Sequence, residues 1–265
     1  MHQPMPRFPT ELHNAAAMAV ADYLSRDERV EAVLLTASCA RGCAVAESCV
    51  DIYGLCSPEQ MGSVWRELEP QTEEFVRRSP ACRELAAIVP WSAVDVGFTD
   101  GHFRPGRHDF TSGPDSFEVE IGNLVAYAIP LLERTARFQE LRTKWLPYYD
   151  EGLRAQRLED ALAFMHNNLD HGAPYARRGL ALAAFDRLQL AFREFLQALF
   201  IHRRVYPVEY MKWVEQQVTE LLNMPQLVPA LHSVLSIGCM EAGQLAHRAE
   251  LLRSLAAEQI EGTRS

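Results

Sequence analysis

The stretch best furnished for chemistry runs from Thr36 to Tyr53, TASCARGCAVAESCVDIY. Read as strand, turn and strand, it offers a hydroxyl (Ser38), a guanidinium (Arg41) and a carboxylate (Asp51), and Val94-Asp95-Val96 adds a carboxylate from another strand. Carboxylate oxygens are the hard ligands that Mg²⁺ takes in octahedral geometry. Side chains at i and i+2 on a strand point to one side, so the natural partner of Asp51 is position 49, which holds Cys49. A thiol is neutral at pH 7 unless its surroundings change it, and as a soft ligand it suits Zn²⁺ better than Mg²⁺. A carboxylate on a neighbouring strand can complete a metal site and take the proton of an attacking hydroxyl. The small residues at Ala37-Ser38 let backbone N–H groups approach phosphate oxygens, with the serine hydroxyl as one more donor.

Each of these residues also has a plainer reading. Asp51 can be an ordinary strand-end aspartate, and Asp95, flanked by valines, points opposite to them toward solvent. Ser38 can satisfy a backbone group at a turn. Arg41 can pair with Glu47 at the surface, where such a pair is worth little. Cys49 reads most simply as a small buried apolar side chain.

A second basic and aromatic group lies further on, where Arg203, Arg204 and Lys212 interleave with Tyr206, Tyr210 and Trp213. Its functional reading is a clamp on nucleotide phosphates with an aromatic ring for base stacking. Its plain reading is a solvated helix end, where cations are favoured. His166 and His171, near Asp170, suggest a metal site only by proximity. Arg177-Arg178-Gly179 reads as a turn leading into a helix.

These groups need elements to hold them. Thr10 can cap a helix from Leu12 through Leu24. Val30 to Thr36 reads as a buried strand and Cys49 to Cys56 as a second. Ser57-Pro58 opens a helix reaching Phe75 to Arg78. Leu85 to Val89 and Ser92 to Phe98 read as strands, residues 100–116 as loop, and Phe117 to Ile121 as an edge strand. From about Asn123 onward the pattern is helical, its longest helix spanning Leu180 to Arg203 with a core stripe of Phe185, Leu188, Phe192, Phe195, Leu196, Leu199 and Phe200. Pro207 suits the first turn of the next helix, through Leu222. The expected fold class is therefore α+β: a mixed-sheet domain over 1–124, then an all-helical bundle over 125–265.

Composition bounds the function. The chain has 265 residues, is 48% hydrophobic and 23% charged, and carries a net charge of −9, which describes a globular protein and excludes global disorder. An acidic total argues against general nucleic-acid binding. The charge is uneven: residues 1–133 sum to −10, residues 134–213 to +4 and residues 214–265 to −3, so the middle is where an anion would be met. No apolar run approaches the roughly 20 residues that span a bilayer, and Met1 to Pro9 lacks the order of a secretory signal. The six cysteines form no C-x-x-C pair and read as reduced thiols of a cytoplasmic protein, with a zinc knuckle from Cys39, Cys43, Cys49 and Cys56 as the alternative.

With Ala37-Ser38, Ala40-Arg41-Gly42 and Ser48-Cys49-Val50-Asp51 in that order, the stretch resembles the nucleotidyltransferase superfamily of the DNA polymerase β type, whose signature is Gly-Ser, Ala-Arg-Gly and Ser-Asp-x-Asp. The nearest subgroup in appearance is the bacterial aminoglycoside and lincosamide nucleotidyltransferases, with a helical C-terminal half, which Phe195 to Trp213 also resembles. The resemblance implies a Mg²⁺-dependent transfer of a nucleoside monophosphate from an NTP, ATP first, to a hydroxyl of a small molecule. Asp51 and Asp95 would bind the metal and carry catalysis, while Ser38, Arg41 and Lys212 would hold the nucleotide. A cationic acceptor would suit the acidic N-terminal half. The sequence departs from the signature at Ala37, a mild change if its φ is negative, and at Cys49, which replaces the first carboxylate. The second expectation is therefore a catalytically degenerate member that binds a nucleotide or a protein partner. A third is an assembly protein whose helical half forms a homodimer.

Overall fold

The computed structural model describes residues 6–107, 109 and 111–263. The protein is α+β, with a four-stranded mixed sheet and a helical C-terminal region. It divides into two compact units, Met1–Arg104 with Glu120–Leu146, and Pro105–Val119 with Pro147–Ser265. Among the described residues no helix is long and apolar enough to cross a membrane.

The first unit opens with α1 (Glu11–Leu24), whose N-cap Thr10 accepts a hydrogen bond from the His13 amide at 3.4 Å. Next come β1 (Val30–Leu35), the short α2 (Ala37–Arg41) and β2 (Val50–Cys56). A helical stretch follows, made of α3 (Met61–Ser63), a π-helical turn over Val64–Leu68, and α4 (Glu69–Arg78). Then come α5 (Pro80–Ala86), β3 (Val94–Thr99), α6 (Phe117–Ile121), whose first three residues belong to the second unit, β4 (Ile129–Glu133) and α7 (Arg137–Trp145). The sheet order is β3-β2-β1-β4, with β1 antiparallel to both β2 and β4, and β2 parallel to β3.

Apart from Glu31, β1 is apolar, because both its faces are covered. Val33 and Leu35 pack with Ala16, Ala17, Val20 and Leu24 of α1, and with Val50 and Ile52 of β2. Ala32 and Leu34 face the other way, onto Leu55 and Phe138 of α7. Side chains alternate along β2, so Asp51 and Tyr53 lie on the Leu55 side of the sheet, opposite α1. Two glycines make room for rings on the adjacent strand, Gly97 on that side and Gly54 on the α1 side. A Cβ on Gly97 would lie 2.7 Å from Tyr53 Cε1, and one on Gly54 would lie 2.7 Å from Phe98 Cδ1.

The second unit is built on α8 (Glu151–Arg177) and α9 (Ala181–Arg203). Gly179, at φ +77°, supplies the left-handed residue between them. The short α10 (Val214–Gln216), α11 (Val228–Leu235) and α12 (Ala242–Gln259) complete it. Phe192, Phe195, Leu196, Leu199 and Phe200 are buried against Leu158, Leu162, Met165 and Leu169 of α8 and Leu252, Leu255 and Ala256 of α12. The stripe read from the sequence is core, and its Phe185 is partly buried against it.

Several elements depart from the sequence reading. Leu85 to Val89 is no strand. Pro80 starts a helix at its first position, and Leu85 in its last turn and Val89 beyond its end are both buried. Phe117 to Ile121 is helical, because Phe117 and Ile121 enter the core at helical spacing and Glu118 turns inward; five alternating residues do not separate the two periods. The stretch after Asn123 is not all helix: Ile129–Glu133 forms an edge strand on β1, a place that tolerates Pro130. The unit that holds the sheet accordingly includes Glu120–Leu146, beyond the expected boundary at 124/125. Pro207 starts no helix; the chain is irregular to Trp213 and turns helical at Val214. The longest helix is α8, with 27 residues, not the one ending at Arg203.

Candidate functional site

The candidate site forms where β1 ends and β2 begins. Thr36 ties the two strands together, its amide and hydroxyl both donating to the carbonyl of Asp51 at 2.9 and 3.3 Å. Ala37 follows at φ +51°, a left-handed conformation that an L side chain adopts at a cost of about 1–2 kcal/mol. The replacement of glycine by Ala37 is therefore not mild, because its condition, a negative φ, is not met. The turn expected after Ala37 is the single helical segment α2, closed by Gly42 at φ +71° and by Cys43 N–H donating to the Ser38 carbonyl at 3.1 Å.

β2 and β3 run parallel in a register that sets Asp51 beside Asp95 and Tyr53 beside Gly97. Adjacent residues of paired strands share a face, so the two carboxylates point the same way. Cys49, two residues before Asp51, points that way as well and donates from Sγ to Asp51 Oδ2 at 3.3 Å. One donor atom from each of Cys49, Asp51 and Asp95 lies within 4.8 Å of the other two. Asp95 is exposed and Cys49 and Asp51 are half-buried. Ser92 Oγ donates to Asp95 Oδ1 at 2.6 Å and fixes that carboxylate. The Cys39 thiol donates to the Cys49 carbonyl at 3.5 Å from beneath.

The electrostatics follow from this crowding of acidic groups. Burial, then the charge of Asp51 and its hydrogen bond, then Asp95, push the Cys49 thiol up to about 11. Burial pushes the Cys39 thiol up to about 12, with Asp51 adding to it. The Tyr53 hydroxyl is also raised, by burial first and then by Asp51, Glu120 and Asp95. All six cysteines are free; Cys39 and Cys56 are buried, and of the knuckle proposed from sequence only Cys49 joins the acidic group.

Mg²⁺, which the family resemblance implies, does not fit this set. Mg²⁺ calls for hard oxygens at about 2.0–2.1 Å in an octahedron, and one of the three converging donors is sulfur. The chemistry of the set is that of a mixed sulfur and oxygen ligand.

Of the other predicted residues, Ser38 is half-exposed in α2, and Arg41 Nη2 lies 2.7 Å from Cys43 Sγ with its charge acting on Tyr127. Lys212 belongs to the second compact unit. It is exposed, its ammonium 5.5 Å from the Trp213 ring centroid, and it lines a cavity of about 330 Å³ with Arg193, Glu209 and Tyr210. The aromatic clamp read around it is not formed by its tyrosines. Tyr206 is buried and stacked on Tyr148 at 4.6 Å, and Tyr210 is buried with its hydroxyl donating to Glu118 at 3.3 Å. Arg204 pairs with Glu151 at 2.9 Å. His166 and His171 do not converge: His166 Nε2 meets Glu261 at 2.7 Å, whereas His171 Nδ1 meets the Asn167 carbonyl at 2.8 Å.

The sequence reading missed a buried charge network in the second unit. Arg157 forks onto Asp115, at 2.6 and 3.1 Å, and onto Glu118 through Nε and Nη2, the latter at 2.7 Å. Tyr149, at 2.8 Å, and Gln197, at 3.1 Å, also donate to Glu118. No linear motif marks it, since its members come from a presumed loop, a presumed strand and two helices. No family model matches the chain, and no curated protein matches it.

Proposed function

We propose that the protein is nucleotidyltransferase-like and moves a nucleoside monophosphate from an NTP, ATP first, onto a hydroxyl of a small molecule, with the reaction centre at Asp51 and Asp95. One observation carries the reading: the two aspartates are register partners on adjacent parallel strands and share a face beside the Thr36–Gly42 turn. Each group has a part in the transfer. Asp95, exposed and held by Ser92, takes the proton of the acceptor hydroxyl. The acceptor oxygen bonds to the α-phosphorus, the bond from that phosphorus to the bridging oxygen breaks, and pyrophosphate leaves with the electron pair. Ser38 and Arg41 bind the triphosphate oxygens as a hydroxyl donor and a fixed positive charge.

Calorimetry with ATP and GTP in the presence of divalent ions, together with pyrophosphate release on a panel of hydroxyl-bearing acceptors, tests this. The expected result is nucleotide binding that requires an ion and is abolished in Asp51→Ala. Nucleotide binding unchanged in Asp51→Ala and in Asp95→Ala overturns the placement of the centre.

A second reading rests on Cys49, which occupies the position that the resemblance assigns to a carboxylate, and on the strained Ala37. In that reading the site binds a nucleotide or a protein partner without turnover. It is supported if the wild type releases no pyrophosphate while Cys49→Asp gains ion-dependent nucleotide binding.

A further inference from the structure

We infer that the Cys49–Asp51–Asp95 cluster is a site for a thiophilic divalent cation of the Zn²⁺ or Co²⁺ kind, and not for Mg²⁺. This rests on the reading of the same residues as an ion-dependent centre and adds which ion they select. Three donors, from β2, the residue before it and β3, converge within 4.8 Å, and one pair, Cys49 Sγ and Asp51 Oδ2, lies at 3.3 Å. With Zn–S near 2.3 Å and Zn–O near 2.0 Å, a tetrahedral angle sets those two atoms about 3.5 Å apart. The observed spacing is within a small side-chain rotation of that value. The Asp95 donor lies within 4.8 Å of both.

The ligand count is that of an open site. Three protein donors leave a fourth position of a tetrahedral ion, and the exposure of Asp95 keeps that side accessible to water or to a phosphate oxygen. Asp95 has the outer partner that a ligating carboxylate needs, in the Ser92 hydroxyl at 2.6 Å. Binding replaces the Cys49 proton by the ion: the thiol releases H⁺ to solvent, the Sγ–metal bond forms, and the crowding of negative groups is relieved. Nothing is oxidised or reduced. Mg²⁺ cannot make that exchange profitably, because it dehydrates reluctantly and gains little from sulfur.

The test is titration of the metal-free full chain with CoCl₂, followed by absorbance. A thiolate-to-cobalt charge-transfer band in the near ultraviolet, saturating at one ion per chain, is expected. ZnCl₂ should bleach it at stoichiometric amounts, and MgCl₂ should fail to do so even in roughly 100-fold excess. Cys49→Ser should lose the band, whereas Cys43→Ser and Cys239→Ser should keep it. In Cys49→Asp the band should be absent and MgCl₂ should compete. Binding of Co²⁺ without the band, or its displacement by equimolar Mg²⁺, overturns the choice of ion while leaving an ion at Asp51 and Asp95. A band that survives Cys49→Ser places the sulfur elsewhere and overturns the inference as well. No bound ion in the wild type removes both this inference and the ion-dependent centre beneath it. The wild-type band and its competition by Zn²⁺ and Mg²⁺ decide the choice of ion even if a variant fails to fold.

Discussion

Replacing Arg157 with methionine should strip protection from the helical unit by a predictable amount. The side chains of Arg157, Asp115 and Glu118 are 10%, 8% and 0% exposed. Among the described residues Arg157 is the cation hydrogen-bonded to both carboxylates, and its guanidinium carbon lies over the Phe117 ring, 4.7 Å from the centroid. Methionine keeps a long unbranched apolar side chain at the position, so the loss is mainly electrostatic. Two buried carboxylates are then left without their cation, accepting from the Gly106 amide, Tyr149, Tyr210 and Gln197. Removing one partner of a buried ion pair destabilises by about 3–5 kcal/mol. At about 1.4 kcal/mol per factor of ten, amide exchange in α8 and α9 should quicken roughly 150- to 5,000-fold. Hydrogen exchange read by mass spectrometry reports this peptide by peptide, without assuming that the two units unfold together. Exchange in α8 and α9 within threefold of wild type at neutral pH would show that the network does not hold the unit, and the reasoning would be refuted.

Other consequences follow from single positions. Ala37→Gly relieves a left-handed φ of +51° and should stabilise the sheet unit by about 1 kcal/mol, seen as a higher midpoint in thermal melts; an unchanged or lower midpoint contradicts the strain. Gly97→Ala places a Cβ 2.7 Å from Tyr53 Cε1 and should destabilise by about 1–3 kcal/mol, read from the urea midpoint; a neutral result means that the ring yields freely. The Arg29 side chain bonded to Asp27 holds that carboxyl below its ordinary 3.8. The stabilisation is therefore present above that value and lost as pH falls through the lower, folded-state value. Asp27→Asn should cost about 1 kcal/mol at pH 7, and its melting curve should converge with wild type in acid; a gap that widens on acidification reverses the assigned sign.

What the sequence determined on its own is what depends on near neighbours along the chain. Val30–Leu35, apolar but for Glu31, announces a strand covered on both faces, the spacing from Leu188 to Phe200 announces a buried helical stripe, and Thr10 announces a cap, because each is a local period or a local hydrogen bond. The i and i+2 relation of Cys49 to Asp51 is local too, so their shared face was legible. Short segments were not: Leu85 to Val89 and Phe117 to Ile121 carry apolar residues that serve either period, and only burial against distant partners chose the helix. Pro130 is a signal against helix that could have pointed to the edge strand at Ile129–Glu133. Asp95 stands beside Asp51 only because β2 and β3 run parallel in one register, a pairing between residues far apart in the chain. The sign of φ at Ala37 and the joining of Asp115, Glu118 and Arg157 were likewise decided by the packed chain. Backbone strain and charge burial are borne only where the surrounding contacts enforce them, and those contacts come from residues that are not sequence neighbours.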